Sequence, residues 1–331
     1  MGLLRNGTWH DQWYDTDASD GEFEREQARF RNWITPDGSA GPTGKDGFEA
    51  SPERYHLFVS LACPWAHRTL IFRQLKGLTA LVSASTVHPH MLNQGWEFSP
   101  DERFSDPQIT LGDPLYQSDF LHQLYTRAAP DYSGRVTVPV LWDRHQQTIV
   151  SNESADIIRM FNHAFDHLTG NRVNMIPAQL LPAIDRLNAF IYPWINNGVY
   201  RCGFATRQKA YEKAYRRLFR ALDWLESRLT EQRFLTGRQI TEADWRLFTT
   251  LIRFDAVYHG HFKCNLRPIR DYQALQGYLR DLYQQPGITA TVNFAHIKAH
   301  YYASHRSINP TGIVPAGPLL ELDEPHGREA L

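Results

Sequence analysis

The chain has 331 residues, of which 42% are hydrophobic, and its formal net charge is -1 at pH 7. This length favours two domains with sizeable cores, and the balanced charge argues against nucleic acid as a partner. The three cysteines, Cys63, Cys202 and Cys264, are too few and too scattered for a disulfide framework and are typical of a reducing compartment. No apolar run reaches transmembrane length, and the first residues lack the apolar core of a signal peptide. We therefore expect a cytoplasmic protein that binds neither nucleic acid nor a membrane.

Residues 1–50 are rich in Gly, Asp, Trp and Arg and show little periodicity. Their tryptophan, tyrosine and phenylalanine side chains are costly to leave in water, so we expect an ordered N-terminal arm rather than a loose tail. The sequence does not indicate where this arm packs.

A strand, a turn and a helix are predicted next. Residues 55–60 have the composition of a buried strand, residues 65–75 of a helix, and residues 80–87 of a second strand. This order is a βαβ unit, which implies a parallel pair of strands with a right-handed crossover.

Cys63 lies where the first strand of this unit turns into the helix. Pro64 suits the first helical position, which places Cys63 at the N-cap, beside backbone N–H groups and the positive end of the helix dipole. A lone cysteine is more often a small buried hydrophobic residue, but a thiolate is favoured at this position. Ala66 occupies the place of the second cysteine of a redox Cys-x-x-Cys pair. An external thiol must therefore resolve any disulfide at Cys63, and glutathione is the obvious candidate.

The next segment contains a long insertion, residues 88–133, in which residues 119–127 are predicted to be helical. A β-hairpin follows, with strands over residues 135–142 and 148–150. Pro139 interrupts an apolar strand, which is best explained by a cis peptide bond beside an active site. A helix then begins at residues 151–154, where polar side chains and N–H groups suit an anionic ligand group. Residues 51–165 thus follow the thioredoxin-like order, with a domain boundary over residues 166–176.

The remainder is predicted to be all-helical over residues 176–303, followed by an irregular Pro- and Gly-rich tail over residues 304–331. Apolar residues recur at helical spacing over residues 180–191 and 211–229. Thr241 followed by Asp244 predicts a helix start in which the two residues cap one another.

Taken together, the chain resembles the cytosolic glutathione transferases: an α/β thioredoxin-like N-terminal domain followed by an all-α C-terminal domain. Within them it resembles the xi class, the glutathionyl-hydroquinone reductases. The matching motifs are Cys-Pro-Trp-Ala-His-Arg at 63–68, Val138-Pro139, Asn152-Glu153-Ser154, Asn-Asn-Gly-Val-Tyr at 196–200 and Ile-Asn-Pro-Thr-Gly at 308–312.

The resemblance implies an enzyme of quinone metabolism that uses glutathione as co-substrate and acts as a homodimer. Cys63 would take glutathione from a glutathionyl-hydroquinone, and a second glutathione would then release oxidised glutathione. It also implies a glutathione site in which Glu153 and Ser154 hold the γ-glutamyl group and Val138 pairs its backbone with the cysteinyl part. The remaining residues of that site would be Trp96, Arg135, Val136 and Thr137.

The resemblance also implies that three tyrosines of this chain are catalytic residues. The resemblance assigns proton transfer to Tyr200 and support of the Cys63 thiolate to Tyr258 and Tyr301. Ordinary packing is the alternative for each of the three tyrosines. Trp96 could instead be an aromatic plug in the core, and Arg135 a solvated surface charge.

No metal site is predicted. His296 and His300 have the spacing of a zinc-binding helix, but Ile297 occupies the place of its catalytic Glu. His259, His261 and Cys264 lack a second ligand cluster. Two other functions remain open: an omega-like thioltransferase acting on mixed disulfides, and a non-enzymatic glutathione transferase-like binding module. An intact Cys-Pro nucleophile argues against the second.

Overall fold

The computed structural model describes residues 2–331, which form two compact units. The first comprises residues 2–13, 26–173 and 291–300, and the second comprises residues 14–25, 174–290 and 301–331. This grouping by contacts is not the series of consecutive intervals expected from the sequence. Part of the N-terminal arm clusters with the second unit, and a segment near residue 295 clusters with the first.

The first unit contains all strands of the described chain, together with four complete α-helices. The strands are β1 Leu3–Arg5, β2 Thr8–His10, β3 Trp33–Thr35, β4 Gly47–Glu49, β5 Tyr55–Val59, β6 Val82–Thr86, β7 Thr110–Leu111, β8 Gly134–Arg135, β9 Val140–Asp143 and β10 Thr148–Ser151. The helices are α1 Pro64–Leu75, α2 Leu121–Ala128, α3 Ser154–His163 and α4 Asp166–Thr169.

A five-stranded sheet in the order β10-β9-β5-β6-β7 forms the centre of this unit. β5 lies in the middle, is buried at every residue, and pairs in parallel with β6 and antiparallel with β9. α1 connects β5 to β6, so the predicted βαβ unit is confirmed. On α3, the apolar residues Ile157, Ile158 and Phe161 are fully buried, as their spacing predicts.

The predicted strand over residues 135–142 is wrong in one respect, because it is two strands in two different sheets. β8 pairs with β1, whereas β9 begins only at Val140 in the central sheet. Between them the Val138–Pro139 peptide bond is cis, as predicted. Proline has no N–H to donate to a sheet, which explains why the ladder stops there.

The N-terminal arm contains strands that its weak periodicity did not indicate. β1 and β2 form a three-stranded antiparallel sheet with β8, and β3 pairs in parallel with β4. Trp9 stacks on His122 with ring centres 4.8 Å apart, and its Nε1 donates to the carbonyl oxygen of Asn93 at 2.9 Å. These partners show that Trp9 packs against the insertion of residues 88–133.

The second unit is helical, as predicted, and its long helix α7 buries the repeated leucines at 218, 222, 225 and 229. No helix within residues 2–331 is both long enough and apolar enough to span a membrane. The helices of this unit are α5 Leu181–Ile191, α6 Gly198–Gly203, α7 Gln208–Glu231, α8 Glu242–Arg253 and α9 Gln273–Tyr283, and the last helix of the chain is α10 Phe294–Ser304.

The start of α8 is held by Asp244, which is fully buried. Its carboxylate accepts from the backbone N–H of Thr241 at 2.7 Å, the backbone N–H of Leu235 at 2.8 Å and the Tyr278 hydroxyl at 2.9 Å. The predicted capping pair of Thr241 and Asp244 is thus confirmed. Asp244 also connects the helix start to two other segments.

Replacing Asp244 with Ala should lower the free energy of unfolding by about 3 kcal/mol, because it leaves buried donors without an acceptor. Asp271→Ala removes an exposed carboxylate from the same unit and should change stability by less than about 0.5 kcal/mol. Urea unfolding followed by circular dichroism measures both. Equal effects of the two substitutions would contradict a structural role for the Asp244 bonds.

Candidate active site

Cys63 is the N-cap of α1, and Pro64 is the first helical residue, as predicted. The Cys63 carbonyl accepts the first helical bond from the backbone N–H of His67 at 2.9 Å. Its Sγ lies 3.5 Å from the carbonyl oxygen of Val138, to which the thiol can donate. The partial positive charge of the helix start favours a thiolate at this place.

The other two cysteines differ from Cys63 in their surroundings. Cys202 and Cys264 are both buried, and none of the three cysteines forms a disulfide within residues 2–331. Burial, together with the neighbouring Cys202, raises the pKa of the Cys264 thiol well above its usual value. A buried thiol that stays protonated is a poor nucleophile. Of the three cysteines, Cys63 is the one that is not buried, and its role as the nucleophile stays a prediction.

The two residues expected to hold a γ-glutamyl group lie at the start of α3. Glu153 is the N-cap, and its Oε1 accepts from the backbone N–H of Ala155 at 2.9 Å. Ser154 is buried, and its Oγ accepts from Nη1 of Arg68 at 3.5 Å. Sequence reasoning missed Arg68, although it lies in the Cys-Pro-Trp-Ala-His-Arg motif, because its distance in sequence from Ser154 hides the contact.

The segment before Pro139 is held by a residue that the sequence did not single out. The hydroxyl of Tyr125, on α2, donates to the Thr137 carbonyl at 2.8 Å and lies 3.2 Å from the Thr137 backbone N–H. It also accepts from Nδ2 of Asn152 at 3.1 Å. Both backbone polar groups of Thr137 are thus bonded within the protein. Val136 beside it is buried.

Trp96 is only 3% exposed and stacks on His300 with ring centres 4.9 Å apart. Its indole N–H is buried and has no hydrogen-bond partner among residues 2–331. Leaving a buried donor unsatisfied costs about 1–3 kcal/mol, which an acceptor atom of a ligand would recover. The packing fits the alternative of a core plug, while the unsatisfied N–H fits a ligand contact.

Arg135 is buried rather than solvated, so the alternative of a surface charge is wrong. Its Nε lies 2.9 Å from Oε1 of Glu26, and its other nitrogens donate to the carbonyl oxygens of Gln12 at 2.5 Å and Trp13 at 3.2 Å. These bonds attach Arg135 to the N-terminal arm. Its part in binding glutathione stays a prediction.

The three predicted tyrosines come together in the second unit, although they are far apart in sequence. Tyr200 lies on α6, Tyr258 in the π-helical turn Phe254–Tyr258 and Tyr301 on α10. The Tyr301 hydroxyl is 2.6 Å from that of Tyr200 and 3.0 Å from that of Tyr258. The Tyr301 hydroxyl therefore bonds to both of the others, and we call the three hydroxyls the hydroxyl chain.

Burial determines the protonation of this chain. The pKa values of Tyr258 and Tyr301 are raised well above their usual value, mainly by desolvation and also by the neighbouring phenols. Arg253 opposes this rise at both residues, but burial prevails. A raised phenol pKa means that the neutral form persists to higher pH. Both groups are therefore hydrogen-bond donors at neutral pH.

The asparagines of the Asn-Asn-Gly-Val-Tyr motif position the helix that carries Tyr200. Asn196 donates from Nδ2 to the carbonyl oxygen of Arg246 at 2.9 Å and to Oγ1 of Thr250 at 2.8 Å, which attaches it to α8. Asn197 accepts from Nε of Arg25 at 3.3 Å. The two asparagines thus fix the start of α6, the helix on which Tyr200 lies.

The N-terminal and C-terminal domain families of glutathione S-transferases match residues 62–164 and 208–281. The glutathionyl-hydroquinone reductase YqjG of Escherichia coli K12 is 58% identical over 99% of both chains. The glutathione-bound YqjG structure, 56% identical, aligns with a TM-score of 0.90 over 99% of both chains. A xi-class transferase from Natrialba magadii is 46% identical, with a TM-score of 0.92 over 100% of this chain and 98% of that one. The chain belongs to the xi-class glutathione transferases. A further relative of this xi-class transferase, the glutathionyl-hydroquinone reductase PcpF of Sphingobium chlorophenolicum, is 49% identical over 97% of this chain and 98% of its own.

In this xi-class transferase, histidines from both of the rejected metal motifs form hydrogen bonds within the protein. Nε2 of His296 lies 3.4 Å from Oγ of Ser60, whereas Nδ1 of His300 lies 2.7 Å from the carbonyl oxygen of Pro89. His261 pairs with His305 at 3.0 Å between their ring nitrogens. No group of three or more His, Cys, Asp or Glu side chains is placed to hold a metal ion within residues 2–331. The absence of a metal stays a prediction.

Ala66 of this transferase is fully buried at the third position of α1, three residues after Cys63. Ala66→Cys should therefore form an internal disulfide with Cys63 when oxidised and lower turnover under oxidising conditions, because the Cys-x-x-Cys spacing at a helix start suits a disulfide. Mass spectrometry should show the loss of two hydrogens. The reduced variant is the matched control, and an oxidised variant without that mass loss would contradict the helix-start geometry.

Proposed function

We propose that this transferase removes glutathione from glutathionyl-hydroquinones, giving the hydroquinone and oxidised glutathione, with Cys63 as nucleophile. The observation that carries the proposal is the position of the Cys63 thiol at the N-cap of α1, beside the Val138 carbonyl and without a second cysteine at position 66. Two full-length relatives, at 58% and 49% identity, are glutathionyl-hydroquinone reductases. A binding module without catalysis has no need of such a thiol.

The first step is an attack of the Cys63 thiolate on the glutathione sulfur of the thioether. A sulfur–sulfur bond forms, and the bond between that sulfur and the ring carbon breaks. The electron pair of the broken bond goes to the ring carbon, which takes a proton from Tyr200. The hydroquinone leaves, and a mixed disulfide of Cys63 and glutathione remains.

The second step is a thiol–disulfide exchange. The thiolate of a second glutathione attacks the glutathione sulfur of the mixed disulfide, and the Cys63 thiolate is the leaving group. Oxidised glutathione is released, and Tyr200 regains the proton that the second glutathione lost on forming its thiolate. The enzyme is then back in its starting state. Ala66 suits this step, because a cysteine in its place would compete with glutathione for the mixed disulfide.

Glutathione is proposed to bind in the first unit. The backbone of Val138 would pair with its cysteinyl part, as an added strand pairs with a sheet edge. Since the Val138 carbonyl also lies near the Cys63 thiol, glutathione would compete with that thiol for the same oxygen. Glu153 and Ser154 would hold the γ-glutamyl ammonium and carboxylate, and the unsatisfied Trp96 N–H would meet an acceptor of the peptide. Arg135, Val136 and Thr137 complete the proposed site.

The hydroxyl chain of the second unit supports Tyr200 as the proton donor. When Tyr200 loses its proton, the Tyr301 hydroxyl 2.6 Å away can donate to its oxygen. Tyr258 and Tyr301 keep their protons at neutral pH and are therefore hydrogen-bond donors. Support of the Cys63 thiolate is the role that the family resemblance assigns to them. A homodimer that takes part in quinone metabolism belongs to the same proposal and rests on the family resemblance. The cytoplasmic location also belongs to it and rests on the sequence.

Cys63→Ala should abolish turnover of glutathionyl-hydroquinones while the fold persists, because no other sulfur can form the mixed disulfide. Cys202→Ser and Cys264→Ser are matched controls and should alter the rate little. Mass spectrometry of the wild-type protein mixed with a glutathionyl-hydroquinone, without added glutathione, should show one bound glutathione that the Cys63→Ala variant lacks. Wild-type turnover in Cys63→Ala would exclude the mechanism, and a comparable loss in a control would reassign the nucleophile.

Tyr200→Phe should lower turnover of glutathionyl-hydroquinones about a hundredfold or more, because it removes only the proton donor. Reduction of hydroxyethyl disulfide should be nearly spared, since its thiolate leaving group needs no carbon protonated. A parallel loss on both substrates would instead place Tyr200 in support of the thiolate, beside Tyr258 and Tyr301. A wild-type enzyme that reduces only disulfides would indicate the omega-like thioltransferase.

A further inference from the structure

Arg25 lies over the face of the Tyr200 ring, with its guanidinium carbon 5.0 Å from the ring centre. The same guanidinium is 5.5 Å from the ring centre of Phe23, and its Nε donates to Oδ1 of Asn197 at 3.3 Å. All of these partners belong to the second unit. The position of Arg25 is therefore fixed by an aromatic neighbour on its own segment and by the Asn-Asn-Gly-Val-Tyr motif.

The surroundings of Tyr200 are largely apolar. It is 8% exposed, and the ring of Phe262 packs against it at 5.4 Å and that of Phe204 at 6.1 Å between centres. In such surroundings a charge acts more strongly than it does in water. A cation over an aromatic face is attracted by the electron density of the ring, and a phenolate carries more of that density than a phenol.

We propose that Arg25 is a positioning residue for proton transfer: its charge stabilises the phenolate that Tyr200 becomes when it protonates the departing hydroquinone. The proton passes from the Tyr200 oxygen to the ring carbon that has lost sulfur, and the negative charge stays on Tyr200. Arg25 counters this charge from the ring face, and Tyr301 counters it by a hydrogen bond to the oxygen. This inference rests on the proposed role of Tyr200 and adds a residue outside the known motifs.

The other titratable and charged groups described near Tyr200 are two phenols and one arginine. Tyr258 and Tyr301 have pKa values raised well above their usual value, so at neutral pH they supply hydrogen bonds but no charge. Arg253 is a buried cation whose charge acts on both of those phenols. Among the contacts described for Tyr200 itself, Arg25 is the cation over the ring.

The test compares Arg25→Met, which keeps the stem but removes the charge, with Arg25→Lys, which keeps a cation. Arg25→Met should lower kcat for glutathionyl-hydroquinones about tenfold, or about 1.4 kcal/mol, and leave the KM for glutathione nearly unchanged. Reduction of hydroxyethyl disulfide should be spared, and Arg25→Lys should recover most of the lost rate. Arg217→Met is the matched control, because Arg217 lies over Trp194 at 4.8 Å in the same unit and should have no effect.

A double-mutant cycle separates an electrostatic role from a structural one. If Arg25 acts through the Tyr200 phenolate, Arg25→Met should cost nothing further in the Tyr200→Phe background. A further tenfold loss in that background, or an equal loss on the disulfide substrate, would overturn the inference. Wild-type turnover in Tyr200→Phe would instead contradict the proposed function, so the two failures are distinguishable.

Discussion

The position of Cys63 at the start of α1 is the feature on which the proposed chemistry of this chain depends. That position is fixed because Pro64 starts the helix directly after Cys63, and because β5 is held on both sides by β6 and β9. The turn after β5 is thus fixed by buried neighbours, and the sulfur is fixed with it. Glutathione chemistry requires a thiolate in a defined place, and the helix start supplies both the charge and the position.

In the second unit, three tyrosine hydroxyls are buried and still have hydrogen-bond partners. A buried hydroxyl without a partner costs free energy, but Tyr200, Tyr258 and Tyr301 bond to one another and so avoid that cost. The same burial keeps Tyr258 and Tyr301 protonated. Stability and function therefore do not oppose each other here, because the packing that hides the phenols also preserves them as donors.

Local patterns were sufficient to predict the features that depend on neighbouring residues. The N-cap at Cys63, the cis bond before Pro139 and the capping pair at the start of α8 all follow from short stretches of sequence. Contacts between distant segments were not predictable. Arg135 binds the N-terminal arm and Tyr125 holds Thr137, and no pattern along the chain relates these partners. The prediction of one strand over residues 135–142 was wrong for the same reason, because the first part of that segment pairs with the distant strand β1.

Ala66 has a consequence for how the cell controls the protein. A dithiol enzyme returns to its reduced state by its own second sulfur and a dedicated reductase, whereas a single thiol equilibrates with the glutathione pool around it. Under the proposed mechanism, the fraction of Cys63 that is available as a nucleophile follows the ratio of reduced to oxidised glutathione. When oxidised glutathione accumulates, the proposed exchange runs backwards and the enzyme is held as its mixed disulfide with glutathione. One buried methyl group thus couples catalytic capacity to the redox poise of the compartment.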